Sequence, residues 1–377
     1  MFSTIIIFIL VLSVLVFVHE FGHFWTARKF GVKAEEFGFG FPPRAFGFYK
    51  DMNGKWRKVI GKKEVKDASD TVYSVNWVPL GGFVKIKGEN GEGEDEPDSF
   101  AGKKPWKRAI ILSAGVVMNV VLAAVLFSIG SMMGIPKALD GLPEDISVKD
   151  KKIQIIEVLP ESPAKEAGFR MGDILVSIEG NRFEDINEIQ NYVDSNGDQE
   201  LTYKIKRGDE MKTFEVTPEE MEGSDRQGVG VALVTTGLVK YPFFTAIWEG
   251  IKTTGFLLVG VVVALFGLIK GLVTGAGVGG DVAGPVGIAA LTGQMADMGL
   301  VYLIQFTALL SVNLAIINFI PFPALDGGRV LFLIIEKFKG SPVKKETEAI
   351  FHNIGFALLL LLILIITFKD VANFIFN

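Results

Sequence analysis

The chain has 377 residues, 49% of them apolar and 21% charged, with 38 basic against 43 acidic residues, three histidines and no cysteine. The apolar residues are bunched into runs of bilayer-spanning length, which excludes a purely soluble protein. Disulfides, cysteine nucleophiles and cysteine ligands are excluded too, and a formal charge of -5 without a basic, aromatic-interleaved stripe argues against nucleic acid.

The first apolar run, Thr4 to Val18, has no basic start and no small-residue cleavage signature, and it continues into His19, Glu20 and His23 before Arg28 and Lys29. It reads as a retained transmembrane helix within residues 1–30 rather than a signal peptide. The motif at its end is His19-Glu20-Phe21-Gly22-His23. On a helix, positions i and i+4 share a face, so two imidazoles can bind one metal ion while Glu20 points to the water beside it. Zinc held in this way lowers the pKa of its water and polarises a carbonyl, and the glutamate takes and returns the proton. Ionisable residues inside a membrane are costly, and three together mark a functional site rather than histidines snorkelling to the interface.

Residues 31–108 are polar and mixed. From Arg28 to Arg108 there are 17 basic and 12 acidic residues, against 13 and 22 from Lys137 to Lys240, so the first segment is expected in the cytoplasm and the second outside. Within the first, Asp70 to Lys87 alternates roughly and contains a Pro-Leu-Gly-Gly turn, which predicts a hairpin. Its apolar content suits a re-entrant element, whose backbone survives at membrane depth only beside protein or a water-filled cavity. Gly88 to Asp98 reads as a solvated linker, and residues 109–136 as the second transmembrane helix.

Residues 150–235 change to short strands and helices, including KKIQIIEV, the amphipathic EDINEIQNYV, LTYKIKR and KTFEVTP, and predict a small α+β domain. Its Ser162-Pro163-Ala164, Ala167-Gly168, Gly172-Asp173-Ile174 and Ile178-Glu179-Gly180 resemble the bacterial PDZ module. Such modules bind extended peptides or chain ends by strand addition, although a spacer or size filter is the alternative role. In residues 241–295, the apolar stretch Gly255 to Ile269 is short for a span and predicts an amphipathic or re-entrant segment.

Residues 300–336 predict a third transmembrane helix, interrupted near Asn318-Phe-Ile-Pro321-Phe-Pro323-Ala-Leu325-Asp326-Gly327-Gly328, and residues 350–370 a fourth. A catalytic zinc takes three protein ligands. His352 is one candidate for the third, but it begins an apolar helix beside Lys and Glu and reads as an interfacial histidine. Asp326 is the better candidate, because two prolines and two glycines break the helix there and free a carboxylate to turn inward. Capping of the following helix is its alternative role. If 243–272 does not cross, Asp326 reaches the same cytoplasmic side as His19 and His23, which predicts four spans with both termini outside.

Taken together, HEFGHFWTARKFGV, FGFG at 37–40, PLGGFVKIKGE, AGVVMN, a single PDZ-like domain, GPVGIA at 284–289 and SVNLAIINFIPFPALDGGRVLF resemble the bacterial site-2 proteases of the regulator-of-sigma-E protease group. The resemblance runs over nearly the whole chain. It implies a polytopic α-helical membrane protein with four transmembrane helices, a membrane re-entrant β-hairpin and an inserted extracytoplasmic PDZ domain, in a bacterial cytoplasmic membrane. It implies Zn2+ bound by His19, His23 and Asp326 with Glu20 as general base. It also implies substrate roles for Asn313 and Asn318, whose amides can satisfy the exposed backbone of an unwound substrate helix. Helix-to-helix hydrogen bonding is the alternative for both. The hairpin residues Gly81, Gly82, Phe83 and Val84 would pair with substrate as an added strand. The expected substrates are single-span membrane proteins of the anti-sigma-factor kind and signal-peptide remnants, cut after a first protease has acted; the expected partners also include membrane lipid, and a peptide or chain end at the PDZ domain. Enterobacterial-type members carry two PDZ domains, whereas this chain has room for one.

Two other classes compete. A catalytically silent PDZ-containing adaptor with a structural metal site would not need Glu20. A metal transporter would need further ligands spaced along its helices.

Overall fold

The computed structural model describes residues 2–376 except 64, 66–67, 140–147, 198, 209, 221–225, 275–283, 342 and 344. The chain divides into two compact units, residues 1–130 with 246–377 and residues 131–245.

In the first unit, α1 (Phe2–Lys29) is apolar on all sides and closes on Arg28 and Lys29, where basic side chains complement the helix dipole. It is followed by β1 (Ala34–Lys50), β2 (Trp56–Ile60), β3 (Val72–Ile86) and α2 (Pro105–Met133). The segment Asp70 to Lys87, expected to fold into a hairpin on itself, instead sets its two halves on either side of the first half of β1. Phe37 faces both Tyr73 and Val84, while Phe46 to Phe48 face Val75 to Tyr73 on one side and Ile60 to Lys58 on the other. The spatial order is therefore β2, the second half of β1, the first half of β3, the first half of β1, then Gly82 to Ile86 at the edge. Among the described residues no strand pairs with that edge.

The sheet is tied to α1 along its length. At the basic end, Arg28 donates to Asp70, Thr71 and Tyr73. In the middle, Phe24 stacks on Phe37 with ring centroids 4.4 Å apart. Deepest along the helix, the Ser13 hydroxyl donates to the Pro79 carbonyl at 3.0 Å and accepts from Gly81 N–H at 3.2 Å. The bend of β3 at Pro79 to Gly81 thus reaches the midpoint of a helix whose apolar length spans a bilayer.

The second unit carries its own core of Ile153, Ile155, Phe169, Ile178, Ile189, Leu201 and Ile205. It comprises β4 (Ile135–Ala138), β5 (Val148–Val158), α3 (Pro163–Ala167), β6 (Ile174–Ile178), α4 (Ile186–Ser195), β7 (Leu201–Arg207), β8 (Glu210–Val216), β9 (Glu219–Glu220), β10 (Gln227–Gly228) and β11 (Val231–Val239). Its main sheet has the order β4-β11-β5-β6-β7-β8. Three residues of the motif read from the sequence have a definite structural role there. Ser162 caps α3 through Lys165 N–H, and Gly168 closes α3 in the left-handed region. Asp173, 1% exposed, accepts two hydrogen bonds from Arg207, at 2.7 and 2.8 Å. The unit is wider than 150–235 because β4, formed before it, pairs with the last strand.

The first unit resumes with α5 (Phe243–Thr274), α6 (Pro285–Met298), α7 (Leu300–Phe319), α8 (Asp326–Lys339) and α9 (Lys345–Phe376). Among the described residues five helices are long and apolar enough to cross a membrane: Ser3–Lys29, Pro105–Met133, Phe243–Leu268, Leu300–Phe319 and Glu346–Ala372. The expectation was four, and the additional one is α5, which continues helically past both of its charged flanks. Its first half packs on α2 and α7 through Leu257, Leu258 and Val261 against Ala123, Phe127, Ala308 and Val312. Gly250 abuts Ser128 near the end of α2, whereas Gly293 of α6 abuts Thr4 at the start of α1, and Gly284 meets Asp370 at the end of α9. The starts of α5 and α6 therefore lie toward the same end of the helical unit, the end opposite to Asp326. The expected third span is also divided, since α7 stops at Phe319 and α8 begins at Asp326.

Candidate metal centre

α1 presents His19 and His23 inward, 6% and 7% exposed, which removes the snorkelling alternative. α7 and α1 both run toward this level of the unit. After α7, Phe319 to Leu325 turn back so tightly that a Cβ on Gly327 would lie 2.3 Å from the Phe319 carbonyl and one on Gly328 2.2 Å from that of Phe322. Only glycine fits at these two positions. The turn delivers Asp326 as the first residue of α8. Leu325 occupies the cap position and no side chain caps the helix, so Asp326 is not employed in capping.

The carboxylate goes to the histidines instead. Asp326 Oδ2 lies 3.0 Å from His19 Nε2 and 3.3 Å from His23 Nε2, and the two Nε2 atoms are 3.2 Å apart. Bonds of about 2.0–2.1 Å to a tetrahedral zinc place neighbouring ligand atoms about 3.3–3.4 Å from one another. The three donors thus stand close to the edges of one face of such a tetrahedron, leaving its fourth corner for water. Their chemistry, two imidazoles and one carboxylate, suits zinc and other divalent ions. Three groups of this kind converging within 4.8 Å form the one such cluster among the described residues.

α2 closes the back of the centre. A Cβ at Gly115 would fall 2.4 Å from His23 Nε2 and 2.7 Å from His19 Nε2, in the space between the ligands. The Nδ1 atom of His23 is 2.8 Å from the Ile111 carbonyl, and that of His19 is 3.2 Å from the Asn119 amide. Glu20 is partly exposed and within electrostatic reach of both imidazoles and of Asp326.

The remaining expected residues fall into three groups. Asn313 and Asn318 are half-buried in the last two turns of α7, on the approach to the break before Asp326. Among the described residues, the side-chain hydrogen bond from α7 to α2 is made by Ser311, which donates to the Asn119 carbonyl at 2.8 Å. Gly81 and Gly82 form the turn into the sheet's free edge, Phe83 and Val84 continue it, and a Cβ on Gly82 would lie 3.3 Å from the Phe17 Cα. His352 takes no part in the centre. It lines a separate polar cavity of about 560 Å³ with Arg108, Arg329 and Glu336. The residues missed by sequence reading are Gly115, Asn119 and Ile111. The AGVVMN stretch contained two of them, but nothing in their types alone indicates that they face histidines.

Comparison with known proteins gives four findings. The sequence model of peptidase family M50 matches residues 7–362. Zinc metalloprotease RasP of Geobacillus kaustophilus (strain HTA426) is 30% identical over 451 residues, covering 99% of this chain and 98% of the relative. Regulator of sigma-W protease RasP of Bacillus subtilis (strain 168) is 29% identical over 452 residues, covering 98% and 99%. Among solved structures, the PDZ domain of an SdrC-like protein from Listeria monocytogenes is similar at 22% identity and a TM-score of 0.21, covering 23% of this chain and 92% of that one.

Proposed function

The chain belongs to peptidase family M50, the site-2 proteases, and from that premise we propose how its own residues make it an intramembrane endopeptidase. It is a zinc metalloprotease and a multi-pass membrane protein. The ligands are His19, His23 and Asp326, and Glu20 is the general base. The observation that carries this assignment is the convergence of the three donors, from α1 and α8, beside a glutamate that no structural site requires.

Bound by these ligands, zinc supplies a water of lowered pKa and a polarised carbonyl. Glu20 takes the proton from the attacking water and returns it to the leaving amine. His23 is held by the Ile111 carbonyl, so that its Nε2 stays aimed at the centre. The substrate is a single-span membrane protein of the anti-sigma-factor kind, or a signal-peptide remnant, whose helix must unwind before attack. The edge from Gly82 to Ile86 accepts the unwound segment as an added strand, with Gly81 to Val84 alongside α1 two residues from His19. Asn313 and Asn318 hold the peptide groups freed by unwinding.

In the cytoplasmic membrane the centre lies toward the cytoplasm, the side favoured for the basic residues from Arg28 to Arg108. The acidic second unit then faces outward, where it binds a trimmed chain end or excludes bulky ectodomains. The positions of α5 and α6 support a segment that enters the membrane region from the outer end and returns to it without a net crossing.

The test is cleavage of a co-reconstituted single-span substrate by the wild type and by Glu20→Gln, with zinc measured on both. Loss of cleavage in a variant that keeps one zinc is the expected result. Equal cleavage by both would overturn the assignment.

A further inference from the structure

An imidazole that gives Nε2 to a metal must carry its proton on Nδ1, and that proton needs an acceptor. His23 has one in the Ile111 carbonyl. His19 has a side-chain amide instead. Asn119 is fully buried in α2, with Nδ2 placed 3.2 Å from His19 Nδ1 and Oδ1 left without a partner. A carboxamide exchanges its oxygen and nitrogen by a half-turn about its last bond. With Nδ2 toward the ring, Asn119 donates to Nδ1, and the proton on His19 Nε2 goes to Asp326 Oδ2 3.0 Å away. With Oδ1 toward the ring, Asn119 accepts from Nδ1–H and leaves the Nε2 lone pair for the metal.

We infer that Asn119 is a positioning residue that sets the tautomer of His19 by presenting its amide oxygen to Nδ1–H, which leaves Nε2 free for the metal. Its backbone is fixed for that role, because its carbonyl accepts from the buried Ser311 hydroxyl of α7 at 2.8 Å. Asn119 is thus anchored to the helix that leads to Asp326. A carboxamide can offer an acceptor to the ring nitrogen without adding charge. The inference rests on the reading that His19, His23 and Asp326 hold zinc.

The experiment measures zinc affinity of the detergent-purified full chain by competition with a chromophoric chelator. Wild type, Asn119→Asp, Asn119→Leu, Asn119→Ala and His19→Ala are compared, with size-exclusion profiles and melting temperatures showing which variants fold. The expected result is weakening by about 10–100-fold in the folded apolar variants, and affinity within a few-fold of wild type for Asn119→Asp, whose carboxylate keeps the acceptor. Wild-type affinity in Asn119→Leu or Asn119→Ala would overturn the inference, and so would Asn119→Asp weakened as much as those two. Zinc retained in full by His19→Ala would instead overturn the metal-site reading beneath it.

Discussion

Asp326 Oδ2 lies 3.0 Å from His19 Nε2 although 307 residues separate the two in sequence. The contact joins the first helix to the start of α8, so a bound zinc ties these two helices together. Binding to the folded state alone stabilises it by about 2.7 kcal/mol when the free ligand stands at a hundred times its dissociation constant. Chelation should therefore lower the melting temperature of the wild type in detergent and leave that of His19→Ala unchanged. Equal shifts in both would show that the chelator acts elsewhere.

Gly115 sets how closely α2 can approach His19 and His23. A methyl group there would stand 2.4 Å from His23 Nε2, whereas one at Gly255 of α5 would meet nothing within 4 Å. Gly115→Ala is expected to lose zinc and at least ten-fold in cleavage, and Gly255→Ala to keep both. Atomic absorption on the two purified variants checks this directly.

The tip of β3, its bend at Pro79 to Gly81, depends on one hydroxyl. Ser13 bridges Pro79 and Gly81, and its removal leaves the buried Gly81 N–H without a partner, at a cost of about 1–3 kcal/mol. The native chain has no cysteine, so a single probe can be placed at Leu80. Alkylation of Leu80→Cys should be several-fold faster when Ser13→Ala is added. An unchanged rate would mean that packing against Val16 and Phe17, and not the hydroxyl, holds the tip.

The histidine pair was legible because a helix repeats every 3.6 residues, so a five-residue motif already fixes which side chains share a face. The proposed third ligand was legible only in part. Pro321, Pro323, Gly327 and Gly328 announced a break, but joining Asp326 to His19 required an argument about which side of a membrane each reaches. The interleaving of β1 with β3 was not legible, because it depends on pairings such as Phe37 with Val84 that local alternation does not encode. α5 was read as short because Lys252 and Lys270 bound its uncharged stretch, yet lysines near helix ends can extend their amines toward polar surroundings while the helix continues. Asn119 stayed hidden for a different reason. A polar residue in an apolar helix signals a partner without naming it.

The second unit should be acid-sensitive through Asp173. Burial raises its pKa, but the Arg207 guanidinium and the Arg170 N–H outweigh burial and hold the carboxyl below the usual carboxylate range. A group with a depressed folded pKa contributes stability above its unfolded value of about 4, and that stability is lost as pH falls through the folded pKa. Unfolding of residues 131–245 should therefore become easier as the pH drops below about 4. Asp173→Asn should cost about 1.5–3 kcal/mol at neutral pH and flatten that acid limb. Denaturant titrations at a series of pH values measure both, and an unaltered acid limb in the variant would assign the sensitivity to other groups.

The central claim is that the metal is completed by Asp326 and not by the third histidine of the chain. Zinc content of purified Asp326→Ala and His352→Ala, each compared with wild type, tests it most directly. One zinc per chain in His352→Ala with little or none in Asp326→Ala is the predicted result. Zinc lost from His352→Ala and kept by Asp326→Ala would contradict the account.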